Sequence, residues 1–107
     1  MDQDDDQRWL DIVITAFERC GSRPSLPSIY DQIERLIRAS KFKSNRAPEA
    51  TVRRLLQAHC ASSKQYGGGP SLFVHTGRGR WQLDKAAVEK RWNERQEARE
   101  FLAGLSL

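Results

Sequence analysis

The chain has 107 residues, of which 38% are hydrophobic and 30% charged, and its formal net charge is +4. This length suits one domain with a single core. No apolar run approaches the roughly 20 residues that cross a bilayer, which excludes a membrane-spanning protein. The acidic first residues lack the basic and apolar segments of a secretory signal. We therefore expect a cytoplasmic, nucleoid-associated protein without a membrane partner.

The positive charge is concentrated in the middle of the chain. Residues 1–20 hold six acids and two bases, whereas residues 41–83 hold eight bases and a single acid, Glu49. A nearly acid-free basic segment is typical of a protein that binds a polyanion. A basic face that serves solubility alone is the alternative, but it leaves the local absence of acids unexplained.

The first predicted element is a helix over about residues 5–20, ending at Gly21. Apolar residues recur there at helical spacing: Trp9, Leu10, Val13, Ile14 and Phe17. The aspartates at positions 4–6 suit the positive end of the helix dipole. They could instead form an acidic arm that competes with nucleic acid for the basic face, although capping is the simpler interpretation.

Two further helices follow a proline-containing extended connector. Pro27 suits the first turn of the second helix, which we expect to end near Ser40, before a basic turn anchored by Phe42. The third helix is predicted over about residues 48–61. Val52, Leu55, Leu56 and His59 fall on its packed side, and Ala50, Arg54, Gln57 and Ala61 on its outer side.

The remaining chain contains a loop, a hairpin and a final helix. Residues 62–71 have loop composition, and residues 72–83 predict two strands joined by a glycine-rich turn. Asp84 suits the N-cap of a helix over about residues 85–103. Its distal apolar cluster, Phe101, Leu102 and Leu105, is expected to pack on the first helix or on another protomer.

Catalytic and metal sites are not expected. Cys20 and Cys60 lack metal-ligand spacing and are predicted to be buried, reduced thiols instead of a disulfide or a ligand pair, and His59 and His75 have no second ligand at a suitable spacing. The basic segment also lacks the clustered carboxylates with which a nuclease holds its metal. We expect no enzyme activity, no cofactor and no metal.

The order of these elements is that of a winged helix-turn-helix, a mainly α fold with a small β-hairpin wing. The segments LPSIYDQIERLI, ATVRRLLQ and LFVHTGRGRWQL resemble the winged-helix modules attached to bacterial restriction endonucleases of the Mrr and HNH kinds. They are more distantly similar to HARE-type helix-turn-helix domains. The resemblance covers about residues 26–83 and implies a role in restriction or other bacterial defence. Because no nuclease domain is recognised here, a separate nuclease or effector protein is a possible partner.

The resemblance also implies a double-stranded DNA site, with the third helix in the major groove. It assigns Ala50, Thr51, Arg53, Arg54 and Gln57 to the recognition helix, and Gly77, Arg78, Gly79 and Arg80 to a wing on the backbone or the minor groove. Arg54 and Gln57 could read bases or only touch phosphate. Phosphate contacts are expected from Lys41, Lys43, Ser44, Asn45 and Arg46. Lys64 and His75 complete the predicted site.

These expectations give one DNA-binding domain, residues 1–84, followed by a C-terminal helix over residues 85–107. That helix either packs on the domain or mediates a homodimer. The alternative function is a winged helix that binds proteins, as an adaptor or regulator, without touching DNA.

Overall fold

A long first helix lies at the centre of the fold. The computed structural model describes residues 2–21 and 24–105, and only the backbone of residues 2–4. Helix α1 spans Asp2–Cys20. Every residue from Trp9 to Phe17 is buried, so this part of the helix is covered on all sides, as expected for a core helix. The other elements pack around it.

Helices α2 and α3 carry the basic turn between them. Helix α2 spans Leu26–Ser40, in agreement with the predicted end near Ser40, and α3 spans Pro48–Ala58. Helix α2 ends because Lys41 adopts a left-handed conformation with φ of 57°. The next residue, Phe42, packs edge-on against Trp9, with ring centroids 5.5 Å apart. The turn is therefore anchored on α1 by the aromatic residue that the sequence indicated.

The hairpin consists of β1, Phe73–Gly77, and β2, Arg80–Leu83, which pair in antiparallel fashion. The connector between α1 and α2 extends this small sheet through a single bridge between Ser25 and Arg80. Among the described residues, the architecture is thus mainly helical with one small two-stranded hairpin, as the sequence predicted. None of the described helices is long and apolar enough to cross a membrane.

Helix α3 is shorter than predicted. It ends at Ala58 instead of about residue 61. The carbonyl oxygen of His59 accepts hydrogen bonds from the backbone amides of Leu72, at 2.8 Å, and Phe73, at 3.1 Å. His59 therefore joins α3 directly to the start of β1. Residues 60–71 form a loop without helix or strand, which contains the predicted loop of residues 62–71.

The C-terminal segment is two helices where the sequence predicted one. Helix α4 spans Lys85–Glu94 and α5 spans Gln96–Ala103, separated by Arg95 at φ −133° and ψ 49°. Asp84 caps α4 as predicted, since its carboxylate accepts the amide of Ala87 at 3.1 Å.

The break lets α5 fold back onto α1. Leu102 is consequently buried at 4% exposure, whereas Phe101 remains 56% exposed. Arg19 of α1 donates to the carbonyl oxygens of Leu102 and Leu105, both at 3.2 Å. Of the two expected arrangements, packing on the first helix is present, and the homodimer stays a prediction.

Candidate nucleic-acid interface

The outer face of α3 is the centre of the candidate interface. Its side chains are exposed at Ala50, Arg53, Arg54 and Gln57. On the opposite face, Val52, Leu55 and Leu56 are at most 1% exposed, which fixes the rotation of the helix against the core. Small, arginine and glutamine side chains therefore lie together on the surface of α3, where a ligand can reach them.

The structure corrects one member of the predicted set. Thr51 is only 6% exposed and belongs to the buried face of α3. The reason is helical geometry, because Thr51 lies about 40° from Leu55 around the helix axis. Its side chain is therefore not available to a ligand in this conformation.

Two cations of the candidate interface contact the N-terminal part of α1. The Arg54 guanidinium donates to the Asp6 carboxylate at 2.9 Å, and Arg46 pairs with Asp5 at 3.0 Å and also with Asp6. The side chains of Arg46, Asp5 and Asp6 are 28–31% exposed, whereas that of Arg54 is 52% exposed. Besides their position at the N-terminal end of α1, Asp5 and Asp6 thus contact the arginines that are predicted to bind DNA.

The ionisation of Asp6 reflects these contacts. Burial alone would raise the pKa of Asp6, but hydrogen bonds and positive charge from Arg54 and Arg46 outweigh burial and hold this pKa below its usual value. Asp6 is therefore charged at neutral pH and neutralises part of the interface in the free protein.

The basic turn presents several polar groups beside these ion pairs. A hollow of about 420 Å³ is lined by Asp5, Lys43, Ser44, Asn45 and Arg46. The Ser44 hydroxyl oxygen accepts hydrogen bonds from the indole of Trp9 and from the backbone amide of Arg46, both at 3.2 Å. A hydroxyl has two acceptor lone pairs and one donor, and within the described part of the chain the Ser44 O–H has no acceptor.

A second groove lies between the basic turn and α5. Its volume is about 630 Å³. Its lining includes the aromatic residues Phe42 and Phe101, the acid Asp11 and four basic residues: Arg8, Lys41, Lys43 and Arg95. Lys41 and Lys43 therefore line a different surface from Arg54, although Lys43 also reaches the smaller hollow. The predicted basic site is thus divided between two neighbouring surfaces.

Arg8 was absent from the sequence prediction. It is an isolated base in an acidic segment, which is a weak signal, and its proximity to Lys41 depends on how α1 packs on the turn. The pairing of Asp6 with Arg54 could not be predicted from the sequence either, because 48 positions separate the two residues.

The hairpin projects its basic residues through a two-residue turn. Arg78 and Gly79 have φ of 53° and 73°, as a type I′ turn requires at both central positions. Arg78 and Arg80 are exposed at this tip. Behind them, the His75 ring packs against that of Trp81, with ring centroids 4.7 Å apart. His75 therefore has a packing role beside any contact with a ligand.

Lys64 lies in the loop that follows α3. Its side chain is exposed, and the loop around it is closed by local hydrogen bonds. The Ser71 hydroxyl accepts the amide of Ala61 at 3.0 Å, and the amide of Gly67 donates to the carbonyl of Ala58 at the same distance. Lys64 is thus presented close to the end of α3.

No protein-family model, curated protein or solved structure matches this chain. The resemblance to winged-helix restriction modules therefore stays a prediction.

Proposed function

We propose that the protein binds double-stranded DNA, with α3 in the major groove and the hairpin as a wing on the adjacent backbone or minor groove. The exposed face of α3 carries this proposal. It places Arg53, Arg54 and Gln57 beside the small Ala50, so that the helix can approach base edges closely. Arginine pairs well with guanine and glutamine with adenine.

The neighbouring elements support the same function. The order of α2, basic turn, α3 and hairpin suits a winged helix-turn-helix, and the pairing of the connector with β2 steadies the hairpin. Lys43, Ser44 and Asn45 offer phosphate donors at the turn, and Arg78 offers one at the tip of the wing. A role in bacterial restriction or defence, with a separate nuclease or effector, is our extension of this proposal from the sequence resemblance.

Salt dependence of binding tests the proposal. With about five phosphates neutralised, the logarithm of the affinity for a fluorescent 20-base-pair duplex should fall with the logarithm of salt at a slope of roughly −4 to −5. Arg53→Glu should abolish most binding, whereas Lys90→Glu, the same charge change at an exposed position of α4, should have a small effect. A flat salt response, or no binding at low salt, would contradict DNA binding. Single-stranded and methylated competitors would define the preferred form.

The groove beside α5 favours a second candidate function. Phe101 is 56% exposed among the cations Arg8, Lys41 and Lys43, an arrangement that suits an acidic peptide with an apolar side chain. Under this alternative the protein is an adaptor or regulator. Loss of peptide binding in Phe101→Ser, with duplex DNA binding absent throughout, would favour the adaptor over the DNA-binding protein.

A further inference from the structure

Two carboxylates and two guanidinium groups meet at the edge of the α3 surface. Asp5 and Asp6 contact Arg46, and Asp6 also contacts Arg54 at 2.9 Å. The aspartates belong to α1, whereas Arg46 lies in the turn and Arg54 on α3. This cluster, which we call the acidic latch, therefore joins the first helix to both parts of the predicted DNA-binding surface.

The acidic latch contains two guanidinium groups, Arg46 and Arg54, whose chemistry also suits phosphate. Arginine guanidinium groups bind carboxylate and phosphate in the same planar geometry. Lys43, Ser44 and Asn45 line the same hollow as Asp5 and Arg46, and the Ser44 hydroxyl proton has no acceptor among the described residues. An anion with more oxygens than a carboxylate would satisfy more of these donors.

We propose that Arg46 and Arg54 form a binding site for DNA backbone phosphates, which Asp5 and Asp6 occupy when DNA is absent. The inference rests on the proposed DNA-binding function and adds an intramolecular competitor to it. It also changes the role expected for Arg54. In this proposal Arg54 contacts the DNA backbone, and Arg53 and Gln57 are the residues of α3 that read bases.

The acidic latch is exposed enough for a phosphate to replace its carboxylates. Its side chains are 28–52% exposed, so water can replace the broken contacts when a phosphate enters. Partly exposed ion pairs of this kind are individually weak. Together, the three pairs correspond to a weakening of DNA binding by roughly three- to thirtyfold, after allowance for their shared groups.

The test compares two variants that remove the same negative charge. Asp5→Asn with Asp6→Asn opens the acidic latch. Asp31→Asn with Glu34→Gln is the matched control, because it also frees two arginines, Arg35 and Arg38, from exposed ion pairs. Binding to one duplex is measured by fluorescence anisotropy across a salt series, after circular dichroism has shown that both variants are folded.

We expect the latch variant to bind about three- to thirtyfold tighter than the wild type, and clearly tighter than the control. The slope of log affinity against log salt should be steeper for the latch variant by about one or two. The reason is that in the wild type the displaced carboxylates take up cations, which reduces the net number of cations released on binding. In addition, Arg54→Ala should weaken binding to all duplexes alike, whereas Gln57→Ala should weaken binding to a preferred sequence most.

The possible failures are distinguishable. If the wild type binds DNA and the latch variant binds no tighter than the control, the acidic latch is not a competitor, and the DNA-binding function still stands. If neither the wild type nor the latch variant binds duplex DNA at low salt, the proposed function and the inference fall together.

Discussion

Removal of the Asp11 carboxylate should destabilise the protein severely. The side chain of Asp11 is only 5% exposed and accepts hydrogen bonds from Arg91 at 2.9 Å and from Arg95 at 2.5 to 3.1 Å. Burial lowers the pKa of Arg91, and the charge and hydrogen bonds of Asp11 oppose this effect. The aspartate therefore compensates two cations and ties α4 and the start of α5 to α1.

The expected magnitude follows from the buried charges that Asp11→Ala would leave behind. Breaking a buried ion pair costs about 3 to 5 kcal/mol, of a total stability of about 5 to 15 kcal/mol for a domain of this kind. For a chain of this length the loss corresponds to a fall in Tm of about 13 to 22 °C.

Urea unfolding followed by circular dichroism measures this loss. Asp31→Ala serves as the control, because its carboxylate is 58% exposed in a surface pair with Arg35 and should cost less than about 0.5 kcal/mol. A loss below about 1 kcal/mol for Asp11→Ala would refute the reasoning, since a buried aspartate between two arginines could not then be compensating them.

Further variants test other parts of the fold. Burial, together with the charge of Arg91, lowers the pKa of His59 below 6.5, so the folded state prefers neutral His59. The stability that depends on neutral His59 should therefore be fully present above the unfolded pKa and decrease as the pH drops from about 7 to 5. His59→Gln should flatten this part of the plot of urea midpoint against pH. An unchanged plot would contradict a lowered pKa for His59. Leu102→Ala should cost about 2 to 4 kcal/mol in the same unfolding assay, against less than about 1 kcal/mol for the exposed Phe101→Ala. Equal losses would mean that α5 is not docked as described, and a wild type that sediments as a monomer at high concentration would exclude the homodimer.

The helices and the hairpin were predictable because their signals are local. Apolar spacing in α1 and α2, Asp84 before α4 and the glycines around Arg78 each act within a few residues. The break at Arg95 had no such signal, since neither glycine nor proline lies nearby. It coincides with the contact between Arg95 and Asp11, residues 84 positions apart, which local periodicity does not report.

The candidate site was predictable to a similar extent. Helical geometry correctly placed Arg54 and Gln57 outward, but transfer by resemblance also included Thr51, which packs inward beside Leu55. The pairing of Asp6 with Arg54 depends on where the start of α1 lies relative to α3. A single sequence carries the charge of both residues, but not the tertiary geometry that joins them.

The backbone carbonyl of His59, which accepts two hydrogen bonds, should allow the following loop to change in length without disturbing the rest of the fold. Its carbonyl binds the amides of Leu72 and Phe73, so the chain leaves α3 and returns to almost the same point. Doubling the length of such a closed excursion costs only about 0.6 kcal/mol in chain entropy. Because the amide of Gly67 donates to the carbonyl of Ala58, the exposed Gly68 is the better insertion point, where a reporter peptide could be introduced while α3 and β1 keep their junction.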